Sequence, residues 1–235
     1  MAAMPAKLRA DQTFRRCLAM AAGVSVLALA AIVLFLLSQA LPIFSQVSLK
    51  DFLFSTEWYP TDDPPVFGIG ALILGSLACA ALTTVIAVPT GVLTACAIHA
   101  GMPDGMKRVV KPMIELMAAL PSVVIGFIGM IILAPWLQNT FGLATGLNLT
   151  NASIMLAFMC VPTIASISED ALRNVPGGIR EASLALGATR WETLVKVELR
   201  WAMGGIATAV MLGISRVIGE TMVVLMVAGG AAIIP

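Results

Sequence analysis

Residues 67–98 carry no charged side chain, and neither do residues 17–41. Each run is long enough to cross the roughly 30 Å hydrocarbon core of a bilayer as a helix rising about 1.5 Å per residue. Lipid offers no water to the backbone, so such a run must satisfy its own N–H and C=O groups, which a helix does. Three further apolar runs at 113–137, 152–167 and 201–234 repeat the pattern. The reading is an all-α membrane protein with five predicted transmembrane helices. A composition of 59% hydrophobic and 11% charged residues excludes a soluble domain with a large core.

The last run holds the anomaly. Arg216 and Glu220 are the only charges between residues 201 and 234. A charge at the bilayer centre costs roughly 2.5–3.5 kcal/mol on insertion scales, so it is rarely kept without a use. At i, i+4 the two side chains are expected on one helix face, within a sector about 80° wide that also holds Gly205, Ala209 and Gly213. Met211, Ile214, Ile218 and Leu225 fall opposite. The span is greasy on one side, small and charged on the other.

Cation placement sets the expected topology. Segments 1–16, 99–112 and 168–200 hold twelve of the fourteen Lys and Arg. The positive-inside rule makes 1–16 a cytoplasmic N-terminal tail, 17–41 the first anchor helix, and the loops after spans two and four cytoplasmic. The first run exceeds a signal-peptide core and lacks a clear cleavage site, so it reads as a retained anchor. Pro89 and Pro121-Ser122 are expected to kink or break their spans. Cys17, Cys79, Cys96 and Cys160 lie in apolar runs without paired spacing and read as small buried hydrophobes. His99 is expected to be a solvated loop residue. Glu115, one turn after Lys111, is expected to pair with it near a helix start. Gly126 and Gly129 fit close helix approach.

No Walker sequence, nucleophile elbow or His-Glu-x-x-His occurs. The chain reads as no enzyme, without a metal site, and any ATP and Mg belong to another chain. Segment 168–200 is charged and weakly apolar. Ser168-Glu169-Asp170-Ala171-Leu172 reads as a short helix ended by Val175-Pro176-Gly177-Gly178, 179–186 as a second closed by Gly187, and a third follows from Ala188 or Thr189. Residue types alone favour an ordinary solvated loop. Order and spacing change that.

Glu181-Ala182-Ser183, three residues, Gly187, nine residues and Val197-x-Leu199 resemble the coupling signature of ABC importer permeases, Glu-Ala-Ala-x₃-Gly-x₉-Ile-x-Leu-Pro. Ser183 replaces the second Ala and Arg200 the terminal Pro, which is expected to soften a turn into the fifth span. Phe52-Leu53-x₃-Glu57-Trp58-x-Pro60, Ile114-Glu115-Leu116-x₃-Leu120-Pro121-Ser122, Ile167-Ser168-Glu169-Asp170-Ala171-Leu172 and Arg216-x-x-Gly219-Glu220-Thr221-Met222 resemble PstC-type permeases of phosphate ABC importers. Related permeases for molybdate, tungstate or sulfate share the coupling signature.

The resemblance implies the type I ABC importer transmembrane domain over 67–235, with 168–200 as a cytoplasmic coupling loop in the inner membrane. It implies an ATPase homodimer, a second homologous permease, an external phosphate-binding protein and surrounding lipid as partners, with phosphate as substrate and no nucleic acid. Glu181, Ala182, Gly187 and Ala188 would dock the ATPase. An oxyanion crossing hydrocarbon needs a fixed counter-charge, and the always-charged, forked guanidinium of Arg216 suits it. Glu220 would hold Arg216 or take a proton from a singly protonated phosphate, and Ser122 is a further candidate for the path. The alternative for Arg216 and Glu220 is a structural salt bridge closing the bundle. Members of the family continue through a sixth span, so a truncated product, or a subunit that docks partners without transport, is the rival expectation. A secondary transporter with a proton relay is a third reading, and an ATPase dock argues against it.

Overall fold

No proline interrupts the stretch from Ala6 to Pro42, and the chain forms one 35-residue helix, α1 (Ala6–Ala40), before a 3₁₀ turn at Leu41–Ser45. The computed structural model describes residues 6–229 and separates into two units, 1–69 and 70–235. Most of the expected tail is thus already helical. Beyond α1, Ser48 caps α2 (Leu49–Phe54) by accepting from the Asp51 N–H at 3.1 Å. The short strands β1 (Trp58–Tyr59) and β2 (Val66–Phe67) pair antiparallel, Trp58 opposite Phe67, with the rings edge to face at 6.0 Å.

The second unit begins with α3 (Gly70–Cys96), which runs through Pro89 and ends in a π turn, Ala97–Gly101. Then comes α4 (Asp104–Ala118). Pro121 has no N–H to donate and disfavours helix at the residue before it, so the chain breaks at 119–121. It resumes as α5 (Ser122–Ile128), a π turn (Gly129–Leu133) and α6 (Ala134–Phe141). Helix α7 (Leu149–Arg173) follows, then α8 (Gly177–Ala185) and α9 (Arg190–Thr193). A π turn, Leu194–Glu198, carries α9 into α10 (Leu199–Ile218), and α11 (Met222–Val227) closes the described chain.

Among the described residues five helical stretches are long and apolar enough to cross a membrane, as expected, but with shifted bounds: Phe14–Ser45, Gly70–Gly101, Ser122–Phe141, Leu149–Arg173 and Arg190–Ile218. The expected third span joined α4 to α5, whereas α4 is a separate amphipathic helix that absorbs most of the loop expected at 99–112. Ser168–Leu172 is not a new helix; it is the last turn and a half of α7. No turn separates the third helix of the knob from the fifth span, since helix runs unbroken from Arg190 to Ile218 through Arg200. That span stops at Ile218, not at 234, and residues 230–234 lie outside the described residues.

Helix α7 is the centre of this unit: 56% of its apolar window is buried, against 22% for α3 and α10. Ile164, fully buried on α7, sits between two glycines. A Cβ on Gly91 of α3 would lie 2.7 Å from Ile164 Cγ2, and one on Gly213 of α10 would lie 2.7 Å from Ile164 Cγ1. Close backbone approach by small residues is how helices pack where lipid removes the hydrophobic drive. The small face foreseen on α10 is therefore a packing face: Gly205 meets Ala171, Ala209 is fully buried, and Gly213 meets Ile164 and Cys160. Met211, Ile218 and Leu225 are exposed, as expected. Gly126 and Gly129 also allow close approach, to Met226 and Val223 and to Met155 and Val227. Asn151, fully buried, donates to the Gly129 and Gly146 carbonyls at 3.1 and 2.9 Å, the first at the start of the π turn. Cys79, Cys96 and Cys160 are buried as expected, but Cys17 is exposed on α1.

Candidate functional site

Two helices of the second unit are interrupted, α4–α5 at 119–121 and α10–α11 at 219–221, and the pieces beyond the breaks, α5 and α11, pack on each other. Arg216 links the breaks. Its Nη2 donates to the Ala118 carbonyl oxygen at 3.0 Å, at the C-terminal end of α4. That end presents unpaired carbonyls and a partial negative charge, which a guanidinium satisfies on both counts. Arg216 is half-buried, and its remaining donors have no protein partner among the described residues.

Glu220 does something different from the expected grip on Arg216. Helix α10 ends before it, so the i, i+4 face is not continued, and no salt bridge joins the pair among the described residues. Its Oε1 accepts from the Met222 and Val223 N–H groups at 3.2 and 3.4 Å, the first free donors of α11. The two charges serve two different helix ends, a cation on carbonyls and an anion on amides. Ser122 opens α5 directly after the first break and is half-buried. Broken helices are tolerated at membrane depth where they line protein or a wet cavity, and their ends are suited to ions.

The second site is a knob made by α8 and α9. Glu181, Ala182 and Gly187 are exposed on it, and Ala188 is half-buried. Gly187 has φ +84°, in the left-handed region, which ends α8 sharply. Thr189 caps α9 in a capping box with Glu192. Ser183, the departure from the coupling signature, is within 2.9 Å of Thr193 Oγ1 and ties α8 to α9. Leu186 and Trp191, two large apolar side chains of the knob, are 90% and 67% exposed.

Below the knob lies a cavity of about 810 Å³, lined by Lys107, Arg108 and Lys111 of α4, Arg173 of α7, and Arg180 of α8 among others. Lys111 does not take Glu115. It bridges Glu169, 2.5 Å away, and Asp170, both on α7, while Glu115 Oε1 accepts from Ser166 Oγ at 3.2 Å. Burial alone would lower the Lys111 ammonium, but its bonds to Asp170 and Glu169 outweigh that and hold it above the ordinary lysine range. His99 is not the solvated residue expected: its side chain is 8% exposed and faces Glu198 and Arg180. Sequence reasoning missed Glu198 and Arg180, which lie 99 and 81 residues from His99 along the chain. The available signal was Glu198 set between Val197 and Leu199, an acid on a stretch that alternates with apolar residues.

Residues 87–234 match the family described as binding-protein-dependent transport system inner membrane component. A probable ABC transporter permease protein, YqgH, of Bacillus subtilis is 41% identical over 90% of this chain and 69% of its own length. A phosphate transport system permease protein, PstC 2, of Mycobacterium tuberculosis is 32% identical over 95% of this chain and 75% of its own. Among solved structures, an inward-facing conformation of the MetNI methionine ABC transporter shares the fold at a TM-score of 0.57, with 23% identity over 68% of this chain and 76% of that one. Helical architecture, coupling signature and relatives agree, and the chain belongs to the family of binding-protein-dependent transport system inner membrane components, as a PstC-type permease.

Proposed function

We propose that this chain is the permease subunit of an ATP-driven importer that moves inorganic phosphate across the cytoplasmic membrane. One observation carries the reading: Arg216, half-buried where two broken helices meet, keeps guanidinium donors that no described residue uses. A forked, permanently charged donor at such a place suits a tetrahedral oxyanion. The relatives named as phosphate permeases support phosphate among the oxyanions. The N-terminus and the knob face the cytoplasm by the cation distribution. ATP and Mg belong to an ATPase pair that grips the knob through Leu186 and Trp191 beside Glu181, Ala182, Gly187 and Ala188. A sister permease and an external phosphate-binding protein complete the assembly.

The test is uptake of labelled phosphate into vesicles that contain this chain with its ATPase, sister permease and binding protein. ATP-dependent uptake, competed by excess phosphate and not by sulfate, molybdate or tungstate, is the expected result. Uptake that follows one of those other oxyanions instead would move the substrate to that anion; the Bacillus relative's name gives no substrate. Absence of ATP-dependent uptake of any oxyanion by the assembled complex would overturn the transport reading.

A further inference from the structure

Three ionisable side chains from three separate elements meet at the base of the knob. His99 comes from the π turn that ends α3, Arg180 from α8, and Glu198 from the π turn that joins α9 to α10. His99 Nε2 lies 3.1 Å from Glu198 Oε2 and 2.8 Å from Arg180 Nη2, and Arg180 Nε donates to Glu198 Oε1. The Glu198 side chain is 5% exposed. A carboxylate so buried is strongly destabilising unless it keeps its partners. The covalent route from α8 to α10 passes through exposed Gly187, and the route to α7 through residues 174–176, whereas this cluster joins α8 to the ends of α3 and α10 directly.

The cluster has two exclusive arrangements. A single ring nitrogen, Nε2, faces both neighbours and cannot accept and donate at once. Without a proton it accepts from Arg180; with one it donates to Glu198 and leaves Arg180 with the carboxylate alone. Of the other charged groups, Lys107 of α4 donates its Nζ to the His99 carbonyl at 2.6 Å, and Asp104, Arg108, Lys111 and Glu115 of α4 with Glu169 and Arg173 of α7 line the same cavity. A two-arrangement element packed between a docking surface and two transmembrane helices is what transmission of movement requires. The π turns on both sides of the contact give it backbone that is not locked in the α ladder, a feature frequent at functional places.

We infer that Arg180, Glu198 and His99 form a latch that carries displacement of the knob into α3 and α10, and are positioning residues for coupling. The inference rests on the reading of the knob as an ATPase dock. It adds a route that bypasses Gly187 and residues outside the coupling signature.

In vesicles holding the assembled transporter, Arg180→Gln and His99→Leu should leave assembly and ATP hydrolysis near the parent rates. Phosphate taken up per ATP should fall about tenfold, the size of effect that coupling mutations reach. Arg180→Lys, which keeps the charge, should restore part of it. Because a lone Arg180 variant strands a buried carboxylate, the double variant Arg180→Met, Glu198→Leu provides a neutral form that folds without the pair; it too should be uncoupled. Uptake per ATP at the parent value in the double variant would overturn the latch. Hydrogen exchange on the membrane-embedded chain tests it apart from transport. In His99→Leu, residues 177–185 and 97–101 should both exchange faster than in the parent. Loosening of only one of these segments, or of neither, would overturn the latch even if no substrate moved. A parent complex that moves no phosphate while both segments loosen together would instead count against the transport reading alone.

Discussion

Arg216 Nη2 donates to the Ala118 carbonyl at 3.0 Å, and this single bond joins the end of α10 to the end of α4 across 98 residues of sequence. It sets the only charge of α10 beyond Trp201 against the carbonyl end of another helix, so the cation is partly satisfied before any anion arrives. An anion that binds the remaining donors would compete with or reinforce that contact, and so connects the contents of the path to the relative placement of α4 and α10.

Arg216→Lys tests the fork against the charge. Lysine can keep one bond to Ala118 but not a second, coplanar pair of donors. Loss of a charge-assisted hydrogen bond is worth about 1.5–3 kcal/mol, or roughly 10- to 100-fold. Uptake by Arg216→Lys in vesicles should fall by at least the lower figure, and by Arg216→Ala further. Parent-level uptake in Arg216→Ala would show that the residue only holds α4.

Glu220 acts on the amides of α11, so its role in stability separates from any role in transport. Glu220→Gln retains an acceptor for the Met222 and Val223 N–H groups, and Glu220→Ala retains none. Loss of an N-terminal cap costs about 0.5–2 kcal/mol. Thermal unfolding in detergent should place Glu220→Gln near the parent and Glu220→Ala below it. Uptake lost in Glu220→Gln despite parent stability would reveal a proton-handling role; equal unfolding of both variants would exclude the cap.

Much of this was legible in the sequence, and the failures share a cause. Uncharged runs give membrane helices because lipid forbids unpaired backbone, and so the number of spans and the exposed apolar side of α10 at Met211 and Ile218 could be read directly. The spacing from Glu181 to Gly187 located the knob, and Gly187 proved to need its left-handed φ. Pairing of charges was not legible. Local rules joined Lys111 to Glu115 and Arg216 to Glu220 because those residues are four apart, yet each took partners from another element or from a helix end. Hydropathy also ran Trp201 to Ile234 into one span, since Gly219 and Thr221 do not lower an apolar average enough to mark a break.

Lys111 clips α4 to α7 through Glu169 and Asp170, with Glu169 nearly buried. Removal of one partner of a buried pair costs about 3–5 kcal/mol, and the partial exposure of this ammonium places Lys111→Met at or below the low end. The raised ammonium dictates the pH dependence. A group whose value is higher in the folded chain stabilises fully below its unfolded value, about 10.4 for lysine, and loses that contribution as pH rises through the folded value. The difference in melting temperature between parent and Lys111→Met should therefore be flat from about pH 6 to 9 and shrink only above about 10.4. A difference that already shrinks at lower pH through this range would mean that the ion pair is not what holds α4.

At Gly187 a side chain has open space but the wrong backbone, φ +84° with nothing within 4 Å of a Cβ. A residue with a side chain costs roughly 1–2 kcal/mol in the left-handed region, and a β-branched one more. The penalty falls on the tip of the knob, far from the packing of α7. Gly187→Val should insert like the parent but reduce uptake relative to ATP hydrolysis, and Gly187→Asn, which tolerates this region, should retain more coupling. Parent coupling in Gly187→Val, with unchanged ATPase stimulation, would dismiss the tip as the dock.

Two glycines on α10 with opposite surroundings test the packing account itself. A Cβ on Gly213 would meet Ile164 Cγ1 at 2.7 Å and Cys160 Sγ at 2.8 Å, while one on Gly204 would meet nothing within 4 Å. Overpacking costs about 1–3 kcal/mol, and Ile164 cannot retreat because Gly91 of α3 lies on its other side. Relief of helical glycine entropy returns about 0.5–1 kcal/mol at both positions. Gly213→Ala should therefore lower the thermal stability of the purified chain, and Gly204→Ala should raise it slightly. Pairing Gly213→Ala with Ile164→Val, which removes one methylene from the clamp, should recover part of the loss. If the two glycine variants melted alike, the helices would not be held at the separation that Ile164 defines, and the close α3–α7–α10 packing that positions Arg216 would be wrong.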